Sequence, residues 1–225
     1  MMDVQFRSDF DVTLIDTMGS DHRIVQAAKV STLGAESLEV GESEGLISYL
    51  MRNRHGSPFE HGMMQWMISA PIFVWREFHR HRIASYNEES SRYKQLAPVF
   101  YNPPPHRPAK QVGKPGHYTL TNDGQRASLA AGDMQRIQFE AYRAYRRLLS
   151  EDVAREVARQ VLPVSIYSTC YVTMNVRALM NFLSLRNAPS ALWEIRQVAV
   201  QIEETFSAAF PQTHAAFVAA GRVAP

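Results

Sequence analysis

Residues Trp75–Tyr93 read WREFHRHRIASYNEESSRY, the most unusual stretch of the chain. It holds Arg76, Arg80, Arg82 and Arg92, the imidazoles His79 and His81, the hydroxyls Ser85, Ser90 and Ser91, Asn87, and the acids Glu77, Glu88 and Glu89. Four guanidiniums within 17 residues form a local electropositive site in a chain whose formal net charge is only +2. Arginine forks grip phosphate oxygens bidentately, and serine hydroxyls and loop amides complete such anion sites. The bland alternative is a solvated helix face laced with Glu/Arg pairs. Against it stand the apolar lead-in, the interleaved Asn and Ser and the adjoining Tyr, none of which a solvated face needs. A metal site could draw His79 and His81 together with His55 and His61. Flanking guanidiniums oppose a divalent cation and favour an anion, so no metal is expected. Nucleic-acid binding suits the Arg/aromatic mixture, but it needs a broader basic surface than this chain supplies.

Outward from this stretch, the apolar run MMQWMISAPIFVW beginning at Met63 reads as a strand that leads into a helix, with Pro71 near the junction. Trp75 and Phe78, at helical spacing, read as core. Upstream, HGSPFEHG interrupts the pattern with Gly56, Pro58 and Gly62. A helix is expected over 42–54 from the stripe Leu46, Ile47, Leu50, Met51, with Ser43 or Ser48 as candidate caps, and another over 21–32. A strand is expected around Val12–Ile15. Downstream, 101–122 holds five prolines and two glycines with little periodicity and reads as a long, mobile excursion. Helical periodicity returns over 125–160, with Leu129, Phe139, Tyr142, Tyr145, Leu148 and Val153 at apolar positions and a break near Ser150. After Pro163, IYSTCYVTMNV reads as a strand. Helices follow over 178–185 and 192–210. Helices with a few separated strands indicate an α+β or mixed α/β fold.

The remaining arithmetic excludes more than it assigns. A chain of 225 residues with 45% hydrophobic residues suits one domain, or one domain with lobes, spanning 1–225. The single Cys170, set in an apolar run, cannot form an internal disulfide or a thiolate zinc site. No apolar stretch approaches the roughly 20 residues that span a bilayer, and the N-terminal residues carry acids where a signal peptide would be apolar. A cytoplasmic protein without membrane or nucleic-acid partners is expected.

Residues 80–93, RHRIASYNEESSRY, resemble the RHRxxSxNExSxRY motif of the flavin-dependent thymidylate synthases at all nine specified positions. HGSPFEH is similar to that family's HxxPFEH element, and REVARQVLP with NVRALMNFLSLR to its C-terminal half. The resemblance implies helices packed on a small mixed sheet. It also implies an enzyme that methylates C5 of the uracil of dUMP, with methylenetetrahydrofolate as carbon donor, FAD as cofactor and NADPH as reductant. Such enzymes use no protein thiol for the chemistry, which agrees with a Cys170 whose burial in an apolar strand would raise its pKa.

Residue by residue, the resemblance implies flavin contacts at Ser31, Ser57, Glu60, Arg80, His81, Arg82, Asn87, Glu88, Asn175, Asn181 and Leu185. It implies nucleotide contacts at Glu77, Glu88, Ser90, Arg92, Arg159 and Arg186, and places Arg186, Ser90 and His55 nearest the chemistry. A homotetramer with shared sites is implied as well. Without the resemblance, Arg159 and Arg186 read equally as helix C-caps, and Ser31, Ser57, Asn175 and Asn181 as ordinary hydrogen-bonding residues. One departure stands out: Asn187-Ala188-Pro189-Ser190-Ala191 places Ser190 where the family has a histidine. Serine is shorter and uncharged near neutral pH, so the expectation is a relaxed choice between dUMP and the ribonucleotide UMP, suited to a pathway-specific enzyme. The alternative reading is a non-catalytic nucleotide or nucleic-acid-binding protein that retains the arginine cluster.

Overall fold

The computed structural model describes residues 3–41, 44–114 and 117–225. Its strands are β1 (Gln5–Arg7), β2 (Asp11–Met18), β3 (Met63–Pro71), β4 (Ser85–Glu88), β5 (Val99–Tyr101), β6 (Lys110–Lys114), β7 (His117–Thr121) and β8 (Tyr167–Asn175). Its helices are α1 (Asp21–Leu33), α2 (Glu44–Arg52), α3 (Ile72–Phe78), α4 (Gly124–Ser150), α5 (Arg155–Ala158), α6 (Val176–Arg186), α7 (Trp193–Ala209) and α8 (Pro211–Ala219). Helices with small sheets are the α+β class expected from the sequence. The residues cluster into two compact units, the first made of Met1–Asp9, Ser69–Arg76 and Glu88–Thr169, the second of Phe10–Ile68, Glu77–Asn87 and Cys170–Pro225.

The first unit is built on α4. Asp123 caps this helix by accepting from the Arg126 amide at 3.1 Å, and Gln138, Tyr142 and Tyr145 recur on its buried face at helical spacing. Tyr142 and Tyr145 pack with Leu96, Phe100, Ala158 and Ile166. Leu129 and Phe139, at apolar positions of the helical pattern, are exposed, because α4 turns that side outward. The long excursion also differs from expectation. Lys110–Lys114 and His117–Thr121 pair as antiparallel strands, with Val112 opposite Thr119 and Gly113 opposite Tyr118. Both strands are exposed throughout, so no buried face imposed an apolar alternation on the sequence. Parallel pairing joins β1 to β5. Trp75 is buried as expected, its indole donating to the carbonyls of Ala70 at 3.0 Å and Ser168 at 3.1 Å.

The second unit carries most of a four-stranded sheet in the order β2-β3-β8-β4. Cys170 on β8 is buried, as a small core residue would be. Two strands run directly into helices, β3 into α3 and β8 into α6. At the second junction the Asn175 side chain accepts from the Ala178 amide at 2.8 Å, an N-cap. The expected 42–54 helix appears as Glu44–Arg52; Glu42 and the candidate cap Ser43 lie outside the described residues. The HGSPFEHG break is itself a 3-10 turn over Ser57–His61. The final helix expected over 192–210 stops at Ala209, and α8 follows as a separate helix opened by Pro211. Asp21, buried at the start of α1, accepts from the Gln212 amide at 2.8 Å and the Thr213 amide at 2.9 Å, placing a carboxylate at the α8 N-terminus.

Gly62 meets a tight wall: a Cβ there would lie 2.9 Å from Phe210 and from Val176. Gly62→Ala is therefore expected to destabilise the fold by about 1–3 kcal/mol through overpacking. Urea denaturation measures this as a lower midpoint at unchanged slope.

Candidate functional site

The predicted residues fall into three separate groups, two within the second unit and one within the first. The first group forms where α3 and α6 end. Phe78 on α3 stacks on Phe182 of α6 at a centroid distance of 4.7 Å, which brings Glu77 and Arg186 side by side. Arg186, its side chain only 17% exposed, reaches Glu77 Oε2 at 2.5 Å. Its Nε donates to His81 Nε2 at 2.9 Å and its second terminal nitrogen to the Glu77 carbonyl at 3.2 Å. A partly buried guanidinium is costly unless paired, and Glu77 supplies the counter-charge.

His81 must accept at Nε2, so it is the neutral tautomer with its proton on Nδ1. Burial and the Arg186 charge pull its pKa down from 6.5 to about 4, with Glu77 opposing. Behind it the Tyr86 hydroxyl lies 3.0 Å from the Phe78 carbonyl and 2.9 Å from the His81 carbonyl, holding the turn that follows α3. Burial pushes that phenol up to about 12, so it remains a donor. Arg80 and Arg82 are exposed, and neither pairs with an acid among the described residues.

The second group surrounds Arg177, which sequence reasoning missed. Its guanidinium bonds Glu60 Oε1 at 2.6 Å, and its carbonyl accepts from Asn181 Nδ2 at 3.1 Å. Gly56 admits it: a Cβ at 56 would lie 2.3 Å from Arg177 Nε. The available signal was its place two residues after the cap Asn175, inside NVRALMNF. Arg177 thus links two of the expected flavin positions, Glu60 and Asn181. Ser57 opens the adjoining 3-10 turn, and His55, exposed, lies 5.9 Å from the Tyr49 ring.

The third group belongs to the first unit. Glu89 exchanges two bonds with Thr169, its amide donating to the carbonyl at 2.8 Å and its carboxylate accepting from the amide at 2.9 Å. This clamp fixes the start of the turn that follows. Within that turn Ser90 Oγ accepts from the Arg92 amide at 3.3 Å. Arg92 pairs with Glu156 at 3.0 Å, both side chains about half exposed (54% and 55%), and Arg159 donates to Ser91 Oγ at 3.0 Å. An exposed pair of this kind is worth only about 0–1 kcal/mol, so an incoming anion can displace Glu156.

Other predicted positions stand apart from these contacts. Ser31 is exposed near the end of α1, its hydroxyl donating to the Ala28 carbonyl at 3.0 Å. Asn87 and Glu88 are exposed on β4, and Leu185 is exposed on α6. Among the described residues, no group of three or more His, Cys, Asp or Glu side chains converges to hold a metal, and no helix is long and apolar enough to cross a membrane.

A family model described as thymidylate synthase complementing protein matches residues 13–212. The chain belongs to the flavin-dependent thymidylate synthase family. A relative of that name from Tropheryma whipplei is 49% identical, covering 100% of this chain and 99% of its own. Another from Streptomyces coelicolor is 46% identical, covering 99% and 96%. Among solved structures, the UMP/dUMP methylase PolB from Streptomyces cacaoi, bound with 5-Br dUMP, superposes with a TM-score of 0.93 at 44% identity, covering 99% of this chain and all of its own. The same methylase bound with 5-Br UMP gives 0.91 at 45% identity. Membership makes this flavin-dependent thymidylate synthase family protein a methyltransferase with a flavin cofactor.

The depressed basicity of His81 has a measurable sign. Above pH 6.5 the imidazole is neutral folded and unfolded, and contributes nothing to pH dependence. As pH falls from 6.5 through about 4 the unfolded chain takes up this proton first, so stability declines across that window. NMR titration is expected to show His81 neutral down to about pH 4, and Arg186→Ala to move its midpoint upward while burial holds it below 6.5.

Proposed function

We propose that the protein methylates C5 of a uridine nucleotide, dUMP or UMP, with methylenetetrahydrofolate as carbon donor and NADPH as reductant, in the cytoplasm and as a homotetramer. The observation that carries this reading is the Arg186–Glu77–His81 arrangement. Three of the five N–H groups of Arg186 are committed to Glu77 and His81, which leaves one on each terminal nitrogen to donate to a ligand. Two uncommitted donors on a cation held by three bonds suit the uracil carbonyls, where they stabilise negative charge displaced onto the ring during attack from C5. Ser90, Arg92 and Arg159 take the phosphate, and Glu88 flanks the nucleotide. His55 assists with folate or proton handling.

FAD fits the donor set. Arg80 and Arg82 offer exposed guanidiniums to its pyrophosphate, and His81, Asn87, Asn175, Asn181, Glu60, Ser57, Ser31 and Leu185, now joined by Arg177, supply polar and apolar contacts. When bound, the flavin supplies the redox and one-carbon transfer chemistry, while the protein binds, orients and polarises. Exposed apolar side chains support the oligomer: Leu129, Met134, Ile137 and Phe139 on α4, and separately Met18, Met67 and Tyr171 on the sheet.

Ser190 lies exposed in the loop after α6, in place of the bulkier histidine that the resemblance implies there. A shorter neutral residue leaves room for a 2′-hydroxyl, and the relative PolB was solved with both bromouridylates. Both dUMP and UMP are therefore expected to be methylated, with rates compared in a folate and NADPH assay and the product identified by mass. A strict deoxy preference would remove the Ser190 argument. Purified protein is expected to be yellow and to be bleached anaerobically by NADPH. Arg186→Ala is expected to abolish methylation while sparing flavin absorbance, and Arg92→Ala to raise the nucleotide KM about 10–100-fold, the loss of a charged hydrogen bond.

A further inference from the structure

Glu203 on α7 is a buried carboxylate that none of the groups above uses, yet four donors converge on it. Arg222 forks onto both oxygens, with one terminal nitrogen at 2.8 Å and 3.0 Å and the other on Oε1. His214 Nε2 lies 2.9 Å from Oε1. Asn187 Nδ2 donates to Oε2 at 2.6 Å. A buried carboxylate needs compensation, and the arginine fork alone supplies it. The Asn187 contact does something further, because Asn187 is the C-cap of α6 and the residue bonded to Arg186. On the same side, Ser184 on α6 donates to the Arg222 carbonyl at 2.7 Å. The end of α6 is therefore held twice to the Glu203–Arg222 pair, from residues two before and one after Arg186.

We propose that Glu203 is a positioning residue for Arg186, acting through Asn187. Glu203 fixes the backbone at which Arg186 leaves its helix and from which the loop bearing Ser190 departs. Arg186 reaches Glu77 and His81 from a fixed root, so its two remaining N–H groups keep one direction. A swing of the α6 end would carry the guanidinium away from His81 and from the uracil it is assigned to bind. The inference rests on the nucleotide role given to Arg186 above, and its test separates the two.

The test uses the full chain with flavin bound and compares Asn187→Ala and Asn187→Asp with the parent protein. Asn187→Ala leaves Glu203 its arginine fork, so flavin content and melting temperature should match the parent protein. Its nucleotide KM should rise about 5–20-fold, and the His81 NMR titration should move upward as Arg186 releases it. Asn187→Asp sets two carboxylates against each other and should be worse than alanine. An unchanged KM and unchanged His81 titration in Asn187→Ala overturns the proposal, as does an Asn187→Asp variant no worse than Asn187→Ala. Should the parent protein bind neither dUMP nor UMP, the functional reading fails, and the His81 titration still decides whether Glu203 positions Arg186.

Discussion

A guanidinium drawn most of the way out of water dictates the geometry around it. Arg186 needs a counter-charge at bonding distance, and Glu77 provides it only because α3 and α6 end side by side. Their separation is set by the Phe78–Phe182 stack, whose rings are too rigid to absorb a shift. Both helices spring from strands of one sheet without an intervening loop, so little slack exists between the sheet and the ion pair. His81 then completes the arrangement by staying neutral. A protonated imidazole 2.9 Å from Arg186 would set two cations together and forfeit the Nε bond.

The elements that could be read in the sequence were those whose periodicity a buried face enforces. The run from Met63 to Trp75 alternates and then shifts to helical spacing because β3 and α3 are packed, and Asp21, Ile24 and Val25 mark the inner face of α1. The paired strands Lys110–Lys114 and His117–Thr121 pack against nothing that would demand alternation, and their flanking prolines suggested irregular chain. Leu129 and Phe139 show the opposite case. They are apolar at helical spacing, yet they line a side of α4 left exposed here.

The candidate site was legible in composition more than in shape. The composition of 75–93 suggested an anion site, but not that its parts divide: Glu77 and His81 hold Arg186, Glu89 clamps Thr169, and Arg92 turns to Glu156. Arg177 escaped notice because an arginine in the first turn of a helix has no distinctive pattern. The four residues joined at Glu203 span positions 187–222, so no local reading could assemble them.

The way each arginine is held argues for a division of labour. Arg92 is half exposed and paired with a half-exposed acid, an interaction worth so little that a dianionic phosphate can replace the acid at small cost. That suits binding, where the partner arrives with its own charge and the side chain must close on it. Arg186 is tied at three of its N–H groups and largely shielded from water, so it reorganises little when charge appears beside it. Preorganised donors stabilise a developing charge far better than mobile ones, since no part of the interaction is consumed in aligning them. On the proposed function, ground-state affinity falls to the loosely held arginine, and stabilisation of the electron-rich uracil to the rigid one.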